Sequence, residues 1–322
     1  MPSASRPKPD PACLAERARG AYLGLAVGDA LGATVEFLTP REIQHQFARQ
    51  GGVHRDIVGA GWLRLKPGQV TDDTHMSLAL GEAILACAGR VDALACARAF
   101  DAWMRAKPID IGNTVRRNLV RFRRSGIPEA PPSPHDAGNG AIMRALPVAL
   151  ARLGAPAEEV AAAFCAQAHV THHNALSDAG GICLTLMLQE ALLHGTWKTL
   201  KHHARALAQA HAEYAWEDGR RVDNPSGYVA HTLPAVFQAF FAHDSFAAAL
   251  IDVVNRGGDA DTTGAILGAL AGAWYGEGGI PAHWRAALDP DVARRCATQA
   301  EALLRLAPIS APAGPETARE TW

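Results

Sequence analysis

Apolar residues recur at intervals of three and four positions along almost the whole chain, and this period limits the fold more than any other feature. Such spacing places apolar side chains on one face of an α-helix, whereas a half-buried strand needs strict alternation, which no stretch sustains. Alanine, leucine and arginine, all good helix formers, dominate these segments. The sequence therefore predicts an all-α fold with helices over 12–32, 75–89, 91–106, 113–124, 140–153, 156–168, 175–193, 197–214, 227–242, 245–255, 262–274 and 291–305.

Two of these segments carry glycine at every fourth position. Gly20, Gly24, Gly28 and Gly32 form one series, and the other runs GAILGALAG over 264–272. Glycine inside a helix costs roughly 1 kcal/mol relative to alanine, so repeated glycines on one face predict close backbone contact with a neighbour. We interpret both series as core packing that frames a site rather than as chemistry.

Proline and glycine clusters separate the helical segments, and no fixed-period repeat indicates a solenoid. The ends of the chain differ from its middle, being rich in proline, serine, alanine and threonine. We expect a disordered N-terminal tail over 1–12, a single folded domain over 13–307 and a flexible C-terminal tail over 308–322.

The charge balance points to no special class of partner. The 322 residues include 31 basic and 32 acidic side chains, for a net charge of −1, which demands neither nucleic acid nor a membrane surface. No signal-peptide pattern and no run of about 18 apolar residues appears, and the six cysteines form no C-x-x-C pair. We expect a cytoplasmic monomer with reduced, buried thiols, no integral membrane segment and no nucleic-acid partner.

The strongest local signal is TDDT at 71–74, immediately before an apolar helix. Threonine and aspartate are good N-cap residues, so helix capping explains one acidic residue well. It explains two adjacent carboxylates between two threonines less well, and metal binding is the alternative.

A second signal, GGDADTTG at 257–264, also places carboxylates and threonines at the start of a helix. Together the two motifs offer only oxygen ligands, which favour Mg²⁺, Mn²⁺ or Ca²⁺ over Zn²⁺. Four carboxylates around one ion would leave excess negative charge, and two divalent ions would balance it. Glu36 is a further acidic candidate beside this set.

These motifs, with GLAVGDALGATVEF at 24–37 and GNG at 138–140, resemble the ADP-ribosylglycohydrolase family over about 20–305, in family order. KPIDIGNT at 107–114, TH at 171–172 and NPSGYV at 224–229 are most similar to the members that reactivate dinitrogenase reductase. The resemblance implies a compact, single-domain helical bundle with two Mn²⁺ or Mg²⁺ ions at the end of a cleft.

The resemblance also implies roles for individual residues. The metal ligands would be Thr71, Asp72, Asp73, Asp259, Asp261 and Thr262. The catalytic candidates would be Asp110, Glu36 and Asp72, among which the sequence does not choose. The ADP-ribose pocket would be lined by Gly112, Asn113, Asn139, Gly140, His172 and Tyr228.

The implied reaction is hydrolysis of the N-glycosidic bond between ADP-ribose and a protein arginine, with dinitrogenase reductase as the expected target in the control of nitrogen fixation. A PII-type signalling protein is an expected partner, and reversible membrane association would then occur through a partner. Three rival functions remain open: an ADP-ribosyl hydrolase with another target (another protein arginine, ADP-ribosyl-serine or O-acetyl-ADP-ribose), a non-catalytic ADP-ribose-binding module, and a two-metal phosphatase.

Several candidates also have plainer interpretations. His169, His172 and His173 resemble a zinc ligand cluster by spacing, or His172 is structural. Tyr228 suits a core position, and Asn139 suits a turn. The arginine-rich run over 116–124 suits a solvated helix face, or a surface that contacts an acidic partner or a phosphate.

Overall fold

Helices make up almost all the regular structure of the chain. The computed structural model describes residues 10–310, and within that range it contains fourteen α-helices, no strand and two isolated β-bridges. The helices are α1 (Pro11–Gly32), α2 (Pro40–Gln46), α3 (Asp72–Ala86), α4 (Ala93–Arg105), α5 (Asn113–Ser125), α6 (Leu146–Ala151), α7 (Ala157–Ala168), α8 (Ala175–Leu192), α9 (Trp197–Ala210), α10 (Val229–Ala242), α11 (Phe246–Val254), α12 (Ala260–Tyr275), α13 (Ala282–Ala287) and α14 (Pro290–Leu306). The predicted all-α class is confirmed.

The predicted segments differ from the helices mainly where a helix is short or begins with a cap. The short helices α2 and α13 were missed, because seven and six residues are too few to display a period. The segment 140–153 contains only the six-residue α6, which starts just before Pro147. Proline has no N–H to donate, so it is tolerated in a first turn but not inside a longer helix.

Both predicted tails are shorter than expected at their inner ends. Helix α1 begins at Pro11, and the Asp10 carboxylate accepts a hydrogen bond from Ala12 N at 3.2 Å, so residues 11 and 12 are helical rather than disordered. At the other end, Pro308–Ser310 forms a 3₁₀ turn, with Ile309 N donating to Leu153 O. The rest of both predicted tails lies outside the described residues.

Helices α1 and α12 form the centre of the fold, and their glycines face each other. An added Cβ on Gly24 or Gly28 would meet the backbone of Gly268 or Gly264 at less than 3.0 Å, a separation that real Cβ atoms essentially never show. The expected close backbone contact is therefore confirmed, and we call this line of glycines the α1–α12 seam. Because the seam brings the C-terminal end of α1 against the N-terminal end of α12, it positions residues that flank both ends.

The remaining helices enclose this central pair. In the described part of the chain, no helix combines the length and hydropathy that crossing a bilayer requires.

All six cysteines are unpaired, but only Cys96, Cys183 and Cys296 are buried, so the expectation of buried thiols holds for half of them.

The arginine-rich face of α5 is mostly satisfied by local partners. Arg117 pairs with Asp136 at 2.6 Å, and Arg123 pairs with Asp101. Arg121 donates to backbone carbonyls just beyond the helix. These contacts favour the interpretation of a solvated helix face.

Candidate active site and metal centre

The first acidic loop leads into α3 and is held by a buried aspartate of α1. The Asp29 carboxylate accepts hydrogen bonds from Thr71 N at 3.0 Å, Thr74 N at 3.1 Å and Thr74 Oγ1 at 2.5 Å. Thr71 caps α3, since its Oγ1 accepts from Asp73 N. Capping therefore accounts for Thr71, while Asp72 and Asp73 lie in the first turn with their carboxylates free of any capping role.

The second acidic loop leads into α12 and is fixed by backbone contacts. Gly257 and Gly258 have φ of 70° and 64°, in the left-handed region that favours glycine. Gly258 exchanges hydrogen bonds with the backbone of Phe37 and Leu38, at 2.7 and 2.9 Å. Asp259 is the N-cap residue of α12, but its side chain makes no capping hydrogen bond. Its carboxylate lines the cleft instead, so helix capping does not account for this residue.

The two loops meet although they are about 190 residues apart in sequence. Thr262 Oγ1 lies 3.4 Å from Asp73 Oδ2, and Thr71 Oγ1 lies 3.5 Å from Asp261 Oδ2. Carboxylate oxygens of Glu36, Asp259 and Asp261 all lie within 4.8 Å of one another. The predicted oxygen ligands and Glu36 therefore form one cluster.

The chemistry of this cluster suits hard cations. Asp73 Oδ1 is buried and has no hydrogen-bond partner, and none of the salt bridges in the described part of the chain involves these carboxylates. Burial, followed by repulsion from Asp110 and Asp29, raises the pKa of Asp72 to about 8. Burial also raises the pKa of Asp73 and Asp261 well above the usual range. Burial and mutual repulsion disfavour the charged forms of these carboxylates, and a nearby divalent ion would favour the charged forms again. The residues present therefore fit a metal centre.

A cleft of about 490 Å³ opens onto this cluster. Its floor carries Asp72, Asp259, Asp261 and Thr262, and Glu36 lies beside them. Thr71 and Asp73 lie behind this floor, buried and outside the lining. The structure thus places four of the six predicted metal ligands on the cleft surface and two directly behind it.

One wall of the cleft is the segment that enters α5. Asp110 lines it, and its Oδ1 accepts from Ile111 N at 2.8 Å. Gly112 N donates to Asp72 Oδ2 at 3.4 Å, which joins this wall to the metal loop. Gly112 is the N-cap of α5 and Asn113 is the first residue of that helix, without a side-chain cap. The uncapped N–H groups of a helix start favour anions, including phosphate.

Asn139, Gly140 and His172 also line the cleft. Asn139 Nδ2 donates to Asp259 Oδ2 at 2.5 Å and to Thr232 Oγ1 at 3.0 Å. Asn139 also serves a turn, since its carbonyl accepts from Ile142 N at 2.8 Å, so both interpretations of this residue hold. An added Cβ on Gly140 would lie 2.8 Å from His172 Cε1, so the glycine admits the imidazole.

His172 is held as a neutral imidazole. Burial, followed by the nearby charges of Arg144 and Arg117, lowers its pKa to about 3. Its Nδ1 lies 2.9 Å from Thr171 Oγ1, and that hydroxyl accepts from Arg144 Nη2 at 2.7 Å. Arg144 is fully buried and lies over the Phe100 ring at 4.3 Å. Sequence reasoning did not identify Arg144, which fixes the orientation of a cleft residue without touching the cleft.

The structure separates the three histidines that resemble a zinc ligand cluster, although ligand atoms of His169, His173 and Glu129 lie within 4.8 Å of one another. His172 faces the cleft, whereas His169 and His173 stack on each other with centroids 3.7 Å apart. His169 Nε2 instead lies 2.9 Å from Asp178 Oδ2, and Glu129 lies 3.6 Å from the other nitrogen. The three histidines do not converge on one point.

Tyr228 is not a core residue. Its side chain is 37% exposed, and it packs edge-on against His231 with centroids 5.2 Å apart. It lies outside the cleft lining, but it pairs with Gly138 of the cleft wall through an isolated β-bridge. The predicted pocket residue therefore lies at the edge of the cleft rather than inside it.

Three further residues belong to the site and were not assigned from sequence. Asp29 clamps the first loop from within α1, and its position between two seam glycines is the available signal. Phe37 and Trp62 line the cleft beside Glu36, and Trp62 Nε1 donates to Glu36 Oε2 at 2.6 Å. No sequence pattern around Trp62 indicates this contact, which joins residues 26 positions apart.

A second cavity, of about 1030 Å³, is lined by residues that include Asn255 and Arg256, which directly precede the second loop. Its acidic residues are neutralised, since Asp252 pairs with Arg256 at 2.9 Å and Glu217 pairs with Arg205 at 2.8 Å. It offers no cluster of free carboxylates, so the smaller cleft is the candidate active site.

Comparisons with known proteins agree with this geometry. The family model described as ADP-ribosylglycohydrolase matches residues 10–313. The ADP-ribosyl-[dinitrogen reductase] glycohydrolase of Rhodospirillum rubrum is 47% identical, over 91% of this chain and 97% of that protein. The ADP-ribosylarginine hydrolase Tri1 of Pseudomonas putida (strain GB-1) is 35% identical, over 84% and 73%. A solved structure titled ADP-ribosylglycohydrolase-related protein complex matches with a TM-score of 0.79 at 34% identity, over 91% and 98%.

Proposed function

The chain belongs to the ADP-ribosylglycohydrolase family, and from that premise we propose that it hydrolyses the N-glycosidic bond between ADP-ribose and an arginine of a protein. The observation that carries the proposal is the convergence of two acidic loops on the floor of one cleft. Relatives named as glycohydrolases and ADP-ribosylarginine hydrolases supply the reaction class. A binding-only module would have no need of so many buried carboxylates, whose burial is costly without a cation.

The proposed cofactor is a pair of divalent ions, Mn²⁺ or Mg²⁺. The residues that would hold them are Thr71, Asp72, Asp73, Asp259, Asp261 and Thr262. Divalent ions bound there supply Lewis-acid polarisation of the oxygen atoms they contact. Oxygen ligands alone, and the unpartnered Asp73 Oδ1, favour these hard cations over zinc.

The remaining residues of the cleft bind and orient the substrate. Hydrolysis breaks the bond between ribose C1″ and the arginine nitrogen, water supplies the new hydroxyl at C1″, and its proton passes to the leaving guanidine. The start of α5 at Gly112 and Asn113 suits the pyrophosphate, because its N–H groups have no side-chain cap. Asn139, Gly140 and His172 would line the other side of ADP-ribose, with Tyr228 at the edge.

Three carboxylates are candidates for moving the proton. Asp110 lies close enough to raise the pKa of both Glu36 and Asp72 by repulsion. Burial, followed by repulsion from neighbouring carboxylates, raises the pKa of Glu36 to about 8 in the metal-free protein.

The proposed target is dinitrogenase reductase, which would make this hydrolase part of the control of nitrogen fixation. Support comes from the 47% identity to the Rhodospirillum rubrum enzyme over nearly its whole length. The similarity to Tri1 hydrolases favours a second candidate, another arginine-modified protein. A direct competition between ADP-ribosylated dinitrogenase reductase and an unrelated arginine-modified protein separates the two.

The decisive experiment measures release of ADP-ribose from arginine-linked and serine-linked proteins, with Mn²⁺ or with chelator. We expect release from arginine only, and only with metal. An absence of release from either linkage, together with unchanged ADP-ribose binding by Asp259→Ala, would falsify the catalytic proposal.

We propose further that the protein is a monomer and that a PII-type protein is its regulatory partner. Light scattering during size exclusion tests the first statement, and co-elution with a PII-type protein tests the second. Association with membranes through that partner would show as sedimentation with vesicles only when the partner is present.

A further inference from the structure

Two aromatic side chains stand exposed at the open side of the cleft. Phe37 is 62% exposed and Trp62 is 52% exposed, whereas Asp72 and Asp261 on the floor of the same cleft are buried. Their ring centroids lie 5.3 Å apart, with the planes inclined by 47°. Large apolar side chains in contact with each other and with solvent contribute little to folding, so their presence calls for another explanation.

The backbone of Phe37 adds a second observation. Its φ is 64°, a left-handed conformation that is unfavourable for a bulky side chain. The conformation is held by the hydrogen bond from Phe37 N to Gly258 O at 2.7 Å. Backbone strain of this kind persists at binding and catalytic sites, where the surroundings fix it. The strain directs an aromatic ring to the cleft at a position that glycine would occupy more easily.

The loop that carries Trp62 is also built for presentation. Ala60 and Leu65 exchange two backbone hydrogen bonds, at 2.7 and 2.8 Å, which close a tight turn around Trp62. Gly61 has φ of 66°, and an added Cβ there would clash with the carbonyl of Ala33 beyond α1. The indole is thus fixed to the end of α1, where its N–H meets Glu36.

Resting on the proposed function, we propose that Phe37 and Trp62 form a platform for the guanidinium of the modified arginine. A guanidinium is a planar, delocalised cation that binds well to aromatic faces. The platform adjoins Glu36, so a cation seated on it also meets a carboxylate. The platform would favour arginine-linked ADP-ribose over a serine linkage or an O-acetyl ester, because those groups present no cation.

Phe37 gives the cleaner test, because its side chain makes no hydrogen bond to Glu36. For Phe37→Leu we expect kcat/KM on ADP-ribosylarginine to fall about five- to thirtyfold, the range of a partly desolvated cation–π contact. Phe37→Tyr, which restores an aromatic face, is expected to recover most of that loss. Val58→Ala, which trims an exposed apolar residue outside the cleft lining, serves as the matched control.

Two further measurements separate binding of the guanidinium from simple misfolding. The Kd of free ADP-ribose, which carries no guanidinium, should stay within about twofold of wild type in Phe37→Leu. Phe37→Gly should lower kcat/KM like Phe37→Leu while leaving Tm unchanged or higher, because it relieves the left-handed strain. A structural role for Phe37 would instead lower Tm and weaken ADP-ribose binding.

The outcomes distinguish this proposal from the proposed function. If wild type releases no ADP-ribose from arginine, the proposed function fails first. If wild type is active and Phe37→Leu keeps its kcat/KM, the platform is wrong while the function stands. Equal losses of affinity in Phe37→Leu for the arginine-linked substrate and for free ADP-ribose would also overturn the platform.

Discussion

Substituting alanine into the α1–α12 seam should destabilise the protein, and the position of the substitution should decide whether metal binding suffers. Gly264→Ala places a Cβ under 3.0 Å from Gly28 O, and Gly272→Ala does the same against Gly20 O. Both contacts are with helix backbone, which cannot swing aside, so the helices must separate by roughly 1 Å to restore normal contact.

The expected cost follows from two opposing effects. Overpacking a core typically costs 1–3 kcal/mol of the free energy of unfolding. Because the contact here is with rigid helix backbone, we expect a cost at the upper end of that range, about 3 kcal/mol. Alanine's better helix propensity returns about 1 kcal/mol, which leaves a net loss of about 2 kcal/mol. At about 2.1 cal/mol/K per residue over roughly 300 folded residues, the entropy of unfolding is about 0.6 kcal/mol/K, so that loss lowers Tm by roughly 3 °C. Thermal unfolding in chelator measures it without any contribution from bound metal.

The two variants should differ in their affinity for Mn²⁺. Gly264 follows Asp261 by three residues, and metal ligands tolerate displacements of only about 0.2 Å, so Gly264→Ala should weaken Mn²⁺ binding at least tenfold. Gly272 lies eight residues further on, about 12 Å along the helix, and its variant should lose less than threefold. Calorimetric titration with MnCl₂ compares them. Shifts in Tm below 1 °C for both variants, or equal losses of Mn²⁺ affinity, would refute the reasoning.

Three more outcomes are expected. The pKa values of Glu36 and Asp72 are both raised to about 8, so folding favours the protonated forms of these groups. Their contribution to the free energy of unfolding is complete below about pH 4, and it is lost as the pH rises through 8. Thermal scans in chelator should therefore show Tm falling from pH 5 to 8.5, with Mn²⁺ reversing the fall; a Tm that rises with pH in chelator would contradict this. Asp259→Asn should weaken Mn²⁺ binding at least tenfold and leave Tm in chelator unchanged or higher, because it removes a half-buried charge that neighbouring carboxylates repel. A lower Tm in chelator would assign the carboxylate a structural role. Arg144→Met should cost about 2–3 kcal/mol in urea unfolding, because the buried Gln167 Oε1, 2.7 Å from Arg144 Nε, loses its donor; a loss below about 0.5 kcal/mol would show that the arginine is not needed there.

The helical part of the fold could be predicted because its information is local. A period of three and four residues is visible within a long amphipathic helix, so α5 and α14 appear at nearly their true limits. Short helices such as α2 carry too few residues to show a period. The start of α6 was also hard to predict, because its first turn contains a proline and the turns before it cannot be told from helix in the sequence.

The candidate site could be predicted where a residue's chemistry was unusual for its local position. Paired carboxylates at a helix start exceed what capping needs, and the structure separates the two explanations residue by residue. Thr71 is a cap, whereas Asp259 directs its carboxylate to Asn139 instead of to the helix. Contacts made across long sequence distances left no such local trace. Trp62 and Arg144 act on Glu36 and on the Thr171–His172 pair only after the chain has folded.

The glycine series also has a meaning that packing alone does not explain. At the C-terminal end of α1, an added Cβ on Gly32 would clash with the backbone of Ala260 and Asp261. Asp261 is a proposed metal ligand, and Glu36 follows Gly32 by four residues. Any side chain at Gly32 would therefore push the second acidic loop away from Glu36 and from the first loop, which Asp29 ties to the same helix. The small residues of the seam are needed where two acidic loops, distant in sequence, must come within a few ångströms of each other. Glycine in this stretch therefore serves both the packing of α1 against α12 and the assembly of the proposed metal site.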